Sequence, residues 1–203
     1  EDPRLLPHLH LPLQSGSDRV LRRMARRCRT AEFASLVEQG RARVPDLNIT
    51  TDIIVGFPGE DTEDWDRTLA FAESMRFGHI HAFAYSPRVG TRAAEMPGRI
   101  DSATKRERLG ALRDVGLRMR HAVLREQIGK TVEVLCEGNP DGERRETRFG
   151  YTPNYLPVHV AAHGAAIDGN ALVKVELTGL DDDGRALIGQ PIDPRDGCSE
   201  TAG

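Results

Sequence analysis

Long apolar runs are missing from this 203-residue sequence. None approaches the roughly 20 residues needed to cross a bilayer. No charged segment followed by an apolar stretch marks a signal peptide, so a cytoplasmic protein is expected. Cysteine is scarce: Cys28, Cys136 and Cys198 are odd in number and far apart. No CxxC or CxxxCxxC spacing occurs, which excludes a self-contained zinc or iron–sulfur motif and predicts reduced thiols. A positive excess is lacking too, since the net charge is −3. Residues 130–191 hold six Lys and Arg against ten Asp and Glu, a balance of −4. Any capture of nucleic acid must therefore come from local patches. An initiating Met is also absent, and the chain opening at Glu1 is expected to be a piece of something longer.

What is present is an ordinary globular composition. The apolar share is 38% by a count that omits glycine, and about 46% when glycine replaces tyrosine in the count, which argues against disorder over most of the length. Residues 5–13 read as a short strand, with an apolar surface where further strands should pack. Ser15 to Asp18 then supply turn and cap chemistry for a helix over 18–27 with Val20, Leu21 and Met24 inward. A second helix is predicted over 31–44, capped by Thr30, with Phe33, Leu36 and Val37 at helical spacing. The β-branched run 49–55 predicts a strand buried on both faces. A helix over 62–75, a strand over 79–85, a loop over 86–98 and a long helix over 101–127 follow. This is the α/β pattern with right-handed crossovers. Three strands are too few for a closed parallel barrel, so an open edge is expected.

The character changes at Gly129. Short strands at 130–137, 147–151, 158–161, 172–177 and 185–188 fit a five-stranded OB-like barrel, with Asp181 to Gly184 as a hairpin turn. The predicted division is 1–128, 129–191 and a disordered tail at 192–203.

Several residues could carry chemistry. Gln14, Ser15 and Ser17 follow a strand and precede a helix, where α/β folds bind ligands, although an ordinary helix cap also accounts for them. Asp52 sits inside an apolar strand and needs a partner, which ribose hydroxyls or a neighbouring Arg would supply. The Gly56–Glu60 loop allows close backbone approach, or is simply a sharp turn. Six arginines crowd residues 19–29; most should be solvated, and one could meet a carboxylate or phosphate. His8 and His10, like His79 and His81, form H-x-H pairs on strands, so each pair could chelate a metal with help from Asp52. Packing histidines are the plainer reading. Arg145, Arg148, Tyr151, Asn154 and Tyr155 interleave aromatic and basic groups as RNA binding requires, and Lys174 joins them as a candidate contact.

Residues 10–27, 51–64 and 81–96 read HLPLQSGSDxVLxxMxRR, TDIIVGFPGExxxD and HxFxYSxRxGTxAAxM. Together they resemble the radical S-adenosylmethionine methylthiotransferases. Residues 130–190 resemble the TRAM module, an RNA-binding small barrel. Within the family, YTPNYLPV at 151–158 looks most like the MtaB branch acting on N6-threonylcarbamoyladenosine in transfer RNA. Branches acting on isopentenyladenosine or on a ribosomal protein are the alternatives.

The resemblance implies an α/β fold, the C-terminal part of a (β/α)6 partial TIM-type barrel, followed by the TRAM barrel. It implies S-adenosylmethionine and two [4Fe–4S] clusters in the full-length protein. One reduced cluster cleaves S-adenosylmethionine to a 5′-deoxyadenosyl radical, and the second delivers sulfur. The partner is the transfer-RNA anticodon stem-loop, modified at adenine C2. By similarity, Gln14 and Asp52 bind ribose hydroxyls, Arg26 pairs with the cofactor carboxylate, and Ile54, Val55 and Gly56 line the adenine. Ser15 and Ser17 are weaker carry-overs, and Arg88 and Thr91 lie where substrate or cofactor contacts are expected. The cysteines of both clusters and the glycine-rich strand are missing. The expectation is a part of an enzyme, inactive alone, that needs the N-terminal part of the same protein. No catalytic residue or metal ligand is assigned within the chain. The rival readings are a non-catalytic RNA-binding fragment and a metal-dependent hydrolase built on the H-x-H pairs.

Overall fold

The computed structural model describes residues 5–137, 147–162 and 167–192. It divides into two compact units, one from Pro7 to Val123 and one from Leu124 onward, with which Leu5 and Leu6 group.

The first unit runs β1 (His8–His10), α1 (Asp18–Arg23), α2 (Thr30–Arg43), β2 (Asn48–Val55), α3 (Thr62–Met75), β3 (His79–Ala84), α4 (Arg92–Glu95) and most of α5 (Ser102–Arg125). Its sheet is parallel, in the order β1-β2-β3. β1 is shorter than the apolar run suggests because Pro12 has no N–H to give to a ladder. Pairing resumes past it, where the Gln14 N–H donates to Asp52 O at 2.8 Å and the Ile54 N–H to Gln14 O at 2.9 Å. Ile49, Ile53 and Val55 point to one face of β2 and pack with Phe33, Val37, Phe77 and Leu112 into the core. Thr50, Asp52 and Ile54 alternate onto the other face. On β1 itself Leu9 is 45% exposed, an uncovered apolar side chain on the strand where further strands were expected to pack.

Local chemistry moves several helix ends. α1 stops at Arg23, four residues short of expectation. Ala25 adopts φ 58, and the Arg26 N–H reaches back to Leu21 O at 2.9 Å, closing the helix with a left-handed cap. Arg26 and Arg27 therefore lie in a loop. α2 begins at Thr30, so Arg29 rather than Thr30 precedes it, and the Arg29 N–H donates to Glu32 Oε2 at 3.0 Å. Leu36 is 54% exposed, against the inward place its spacing suggested. α3 spans the predicted residues, with the Asp61 carboxylate accepting from the Asp64 N–H at 2.9 Å.

The second unit contains a closed barrel of β4 (Thr131–Cys136), β5 (Thr147–Tyr151), β6 (Pro157–Ala161), β7 (Leu172–Leu180) and β8 (Leu187–Pro191), in the order β4-β5-β6-β8-β7. Alternation places Val134, Val158, Val160, Val175, Leu177 and Leu187 inside, all fully buried. Gly150 and Gly189 admit neighbouring strands at distances that a Cβ would obstruct. β8 begins two residues later than expected because the Asp181 carboxylate holds the Arg185 and Ala186 N–H groups in the turn. Residues 193–203, most of the tail expected to be disordered, fall outside the described residues.

Candidate functional site

A cavity of about 800 Å³ opens where the carboxyl ends of the strands meet the loops of the first unit. Gln14, Arg26, Ile54, Phe57, Tyr85 and Met96 are among its lining residues. Gln14 reaches it through an unusual backbone, φ 73, which both of its ladder bonds hold in place. Arg26 reaches it because α1 ends early. Phe57 and Tyr85 meet edge to face at 5.2 Å. The Tyr85 hydroxyl is buried without a hydrogen-bond partner. An amide, guanidinium groups, an aromatic wall and one unsatisfied hydroxyl suit a ligand with both polar and flat apolar parts.

The sequence-derived cofactor residues separate into three groups. Gln14, Arg26 and Ile54 come together at the cavity. Ser15 and Ser17 are buried and occupied elsewhere. Ser15 Oγ lies 3.2 Å from Thr68 Oγ1 and accepts from the Ser17 N–H, while the Ser17 hydroxyl donates to Asp64 at 2.6 Å. Val55 points into the core, and the Gly56 N–H donates to Glu60 Oε1 at 3.0 Å. Gly56 needs to be glycine: φ is 73, and a Cβ would lie 2.3 Å from Lys105 Cγ.

Asp52 stands apart from all three. It shares a face with Ile54 but meets a histidine, not an arginine: its Oδ2 lies 3.3 Å from His10 Nε2. The same register sets Asp52 beside His81. The H-x-H pairs meet both across strands, where the His10 and His81 rings lie 5.7 Å apart, and within a pair, where the His79 and His81 rings lie 4.4 Å apart. His8 Nε2 lies 3.2 Å from Thr50 Oγ1, and His79 Nδ1 lies 3.4 Å from Arg120.

Beneath the cavity runs an ionic frame that the motif reading missed. Arg19 bonds both Asp61 and Asp64 and donates to Gly59 O at 3.0 Å. Burial pushes the Asp64 carboxyl up, but Arg19, Ser17 and the Asp61 N–H outweigh it and hold it below its usual range. Arg23 donates to Pro58 O at 2.9 Å, so the arginine-rich segment clamps the GFPGE loop as well as facing solvent. Arg108 donates to the buried Glu60 carboxylate at 2.6 Å and lies over the Trp65 ring. Burial nevertheless pushes the Glu60 carboxyl up, against the pull of the Gly56 N–H and Arg108. Tyr85, Phe57 and Met96 were also not singled out as ligand contacts, although all three follow from asking what lies just past a parallel strand.

On the barrel, the Tyr151 and Tyr155 rings stack at 4.5 Å with 4° between planes. Phe149 meets Tyr151 edge to face at 5.2 Å and His159 at 5.4 Å, making an aromatic row. Tyr155 is 54% exposed. Lys174 is exposed on β7, opposite Glu133. Arg148 turns inward and donates to Ile167 O at 2.6 and 3.1 Å. Asn154 is buried and its Oδ1 accepts from Thr152 at 2.5 Å, which fixes the turn. Arg88, with Thr91 bonded to its carbonyl, is exposed in the first unit's loop after β3. Arg145 lies outside the described residues.

Among the described residues the cysteines do not fit an iron–sulfur cluster: Cys28 is exposed after α1 and Cys136 is buried in β4. No helix of the described residues is long and apolar enough to cross a membrane.

Residues 3–72 match the model of the Radical SAM superfamily. The chain is 43% identical over 184 residues to a tRNA-2-methylthio-N(6)-dimethylallyladenosine synthase of Clavibacter michiganensis, covering 88% of this chain and 34% of that protein. It is 46% identical over 140 residues to the threonylcarbamoyladenosine tRNA methylthiotransferase MtaB of Thermotoga maritima, covering 67% and 31%. A dimethylallyladenosine-type relative from Anaeromyxobacter is 41% identical over 94% of this chain and 42% of its own length. The matches include both kinds of relative and do not single out the MtaB branch. The chain spans about a third of the length of the first curated relatives it matches. It carries a Radical SAM segment and is a homologue of the tRNA methylthiotransferases.

Proposed function

We propose that this chain is the C-terminal part of a transfer-RNA methylthiotransferase, contributing part of the S-adenosylmethionine pocket and an RNA-binding barrel. The carrying observation is the cavity at the strand ends, where Gln14, Arg26, Ile54 and Tyr85 converge on a chain that matches the Radical SAM superfamily. Gln14 offers an amide for ribose hydroxyls and Arg26 a fork for a carboxylate. Ile54 and Phe57 give apolar surface for a flat base. When bound beside a reduced cluster, S-adenosylmethionine supplies a radical that abstracts hydrogen from the substrate. The clusters themselves need cysteines from the rest of the protein, so this chain alone is inactive. The row from Tyr155 to Phe149 offers stacking faces for unpaired bases of an anticodon stem-loop, with Lys174 as a phosphate contact on the barrel; Arg88 is a separate candidate contact on the first unit.

Mass spectrometry of transfer-RNA nucleosides tests the reading. The whole protein to which the chain belongs, reconstituted with iron, sulfide and S-adenosylmethionine, is expected to raise methylthio-adenosine content. An unchanged content overturns it. The product decides the branch: the YTPNYLPV segment favours threonylcarbamoyladenosine, and a methylthio-isopentenyladenosine product would reassign the substrate.

A further inference from the structure

The polar face of the three-stranded sheet brings Asp52, which the resemblance gave to ribose hydroxyls, together with two histidines that the methylthiotransferase reading does not use. His10, Asp52 and His81 each offer one donor atom, and those atoms lie within 4.8 Å of one another. Three parallel strands supply one residue each. β1 ends at His10, paired with Thr50, and Asp52 and His81 sit opposite each other on β2 and β3. All three face the side away from the core.

We infer that His10, Asp52 and His81 form a binding site for a divalent cation of borderline softness, such as zinc. Two donors held tetrahedrally by one ion at about 2.0–2.1 Å stand roughly 3.3 Å apart. His10 Nε2 and Asp52 Oδ2 are already 3.3 Å apart. The His81 ring already meets the His10 ring edge to face at 5.7 Å and the His79 ring at 4.4 Å, and it is exposed, so a rotation away from His79 closes the third side. The ring of His10 is oriented from behind: its Nδ1 lies 2.9 Å from Thr50 Oγ1, which leaves Nε2 for the ion. A metal-bound imidazole usually has its second nitrogen held this way. Two imidazoles and one carboxylate select zinc, cobalt, nickel or ferrous iron over magnesium and calcium. Three donors leave a coordination position for water or another ligand.

Calorimetric titration of zinc into the untagged 203-residue chain, with magnesium in excess, tests this. One saturable site per chain is expected. His10→Ala and His81→Ala should each weaken it by about 100-fold, and Asp52→Asn by about tenfold or more, by comparison with the 10–100-fold losses seen even for outer-shell changes. His159→Ala, on the barrel, should leave it unchanged. Absence of saturable one-to-one binding overturns the inference, as does a triple variant that keeps the affinity. Should the variants lose their circular dichroism, the wild-type chain decides alone. Copper(II) added in trace amounts must broaden amide resonances around residues 10, 52 and 81 first, and broadening centred elsewhere overturns the site.

Discussion

The two units solve the same problem in different ways. The barrel has five strands and no edge, and its valines and most of its leucines fill the inside, while Leu135 and Leu172 stay exposed. The Pro7–Val123 unit has three parallel strands, one well-covered face and one face lined with histidines, a threonine and an aspartate. Its stability must come from the covered face and from buried ion pairs. Closure satisfies backbone groups without help from side chains. An open sheet leaves a polar face available for chemistry.

The first way to break this comparison is Arg108→Met. It strands a buried carboxylate, so the first unit should lose about 3–5 kcal/mol. Urea unfolding followed by Trp65 fluorescence would measure it, while barrel amides keep their exchange protection. If both units weaken together, their independence fails. Next, Leu177→Ala should cost about 2–5 kcal/mol in the barrel through a cavity. Loss of barrel exchange protection without a change in the Trp65 transition is the expected result.

Ser17→Ala removes a helix cap and the bond to Asp64, with an expected cost of about 1–2 kcal/mol, read in the same Trp65 transition. This bond is linked to pH. Asp64 has a lowered pKa when folded, so its contribution is complete above its ordinary 3.8 and fades as pH falls through the lower folded value. Acid titration should therefore weaken the first unit below about pH 4, and the variant should show a shallower loss. A steeper one contradicts the Ser17–Asp64–Arg19 arrangement. The smallest stability effect is Tyr155→Ala, about 0.5–1.5 kcal/mol for the lost stack on Tyr151. The same change should weaken single-stranded RNA binding by about 1–3 kcal/mol, by filter binding at low salt. Unaltered affinity would remove the aromatic row from the RNA surface.

Much of this was legible in the chain. The run ITTDIIV read as a strand buried on both faces and is one, except that Asp52 and Ile54 are only partly buried, and α3 begins and ends where its acidic cap and apolar period put it. The barrel strands followed from alternation and turn residues. Other features depended on groups far apart in sequence. Glu60 and Arg108 are 48 residues apart, and nothing local to either marks the pair. Leu36 fits the helical period but lies on a flank that no neighbour covers. Ala25 ended α1 in a left-handed conformation that its residue type does not announce, and this turned Arg26 toward the cavity.

The sequence by itself determined most strands and the long helices, because burial periodicity and caps act over a few residues, but not the short α4 at Arg92–Glu95 inside a segment read as a loop. Its motifs, whose spacing survives without coordinates, also carry the likeness to the tRNA methylthiotransferases. Only the tertiary structure decided which partners the polar residues take. Asp52 needed a partner in any reading. That the partner is His10, with His81 alongside, comes from the register of three parallel strands, which long-range packing sets.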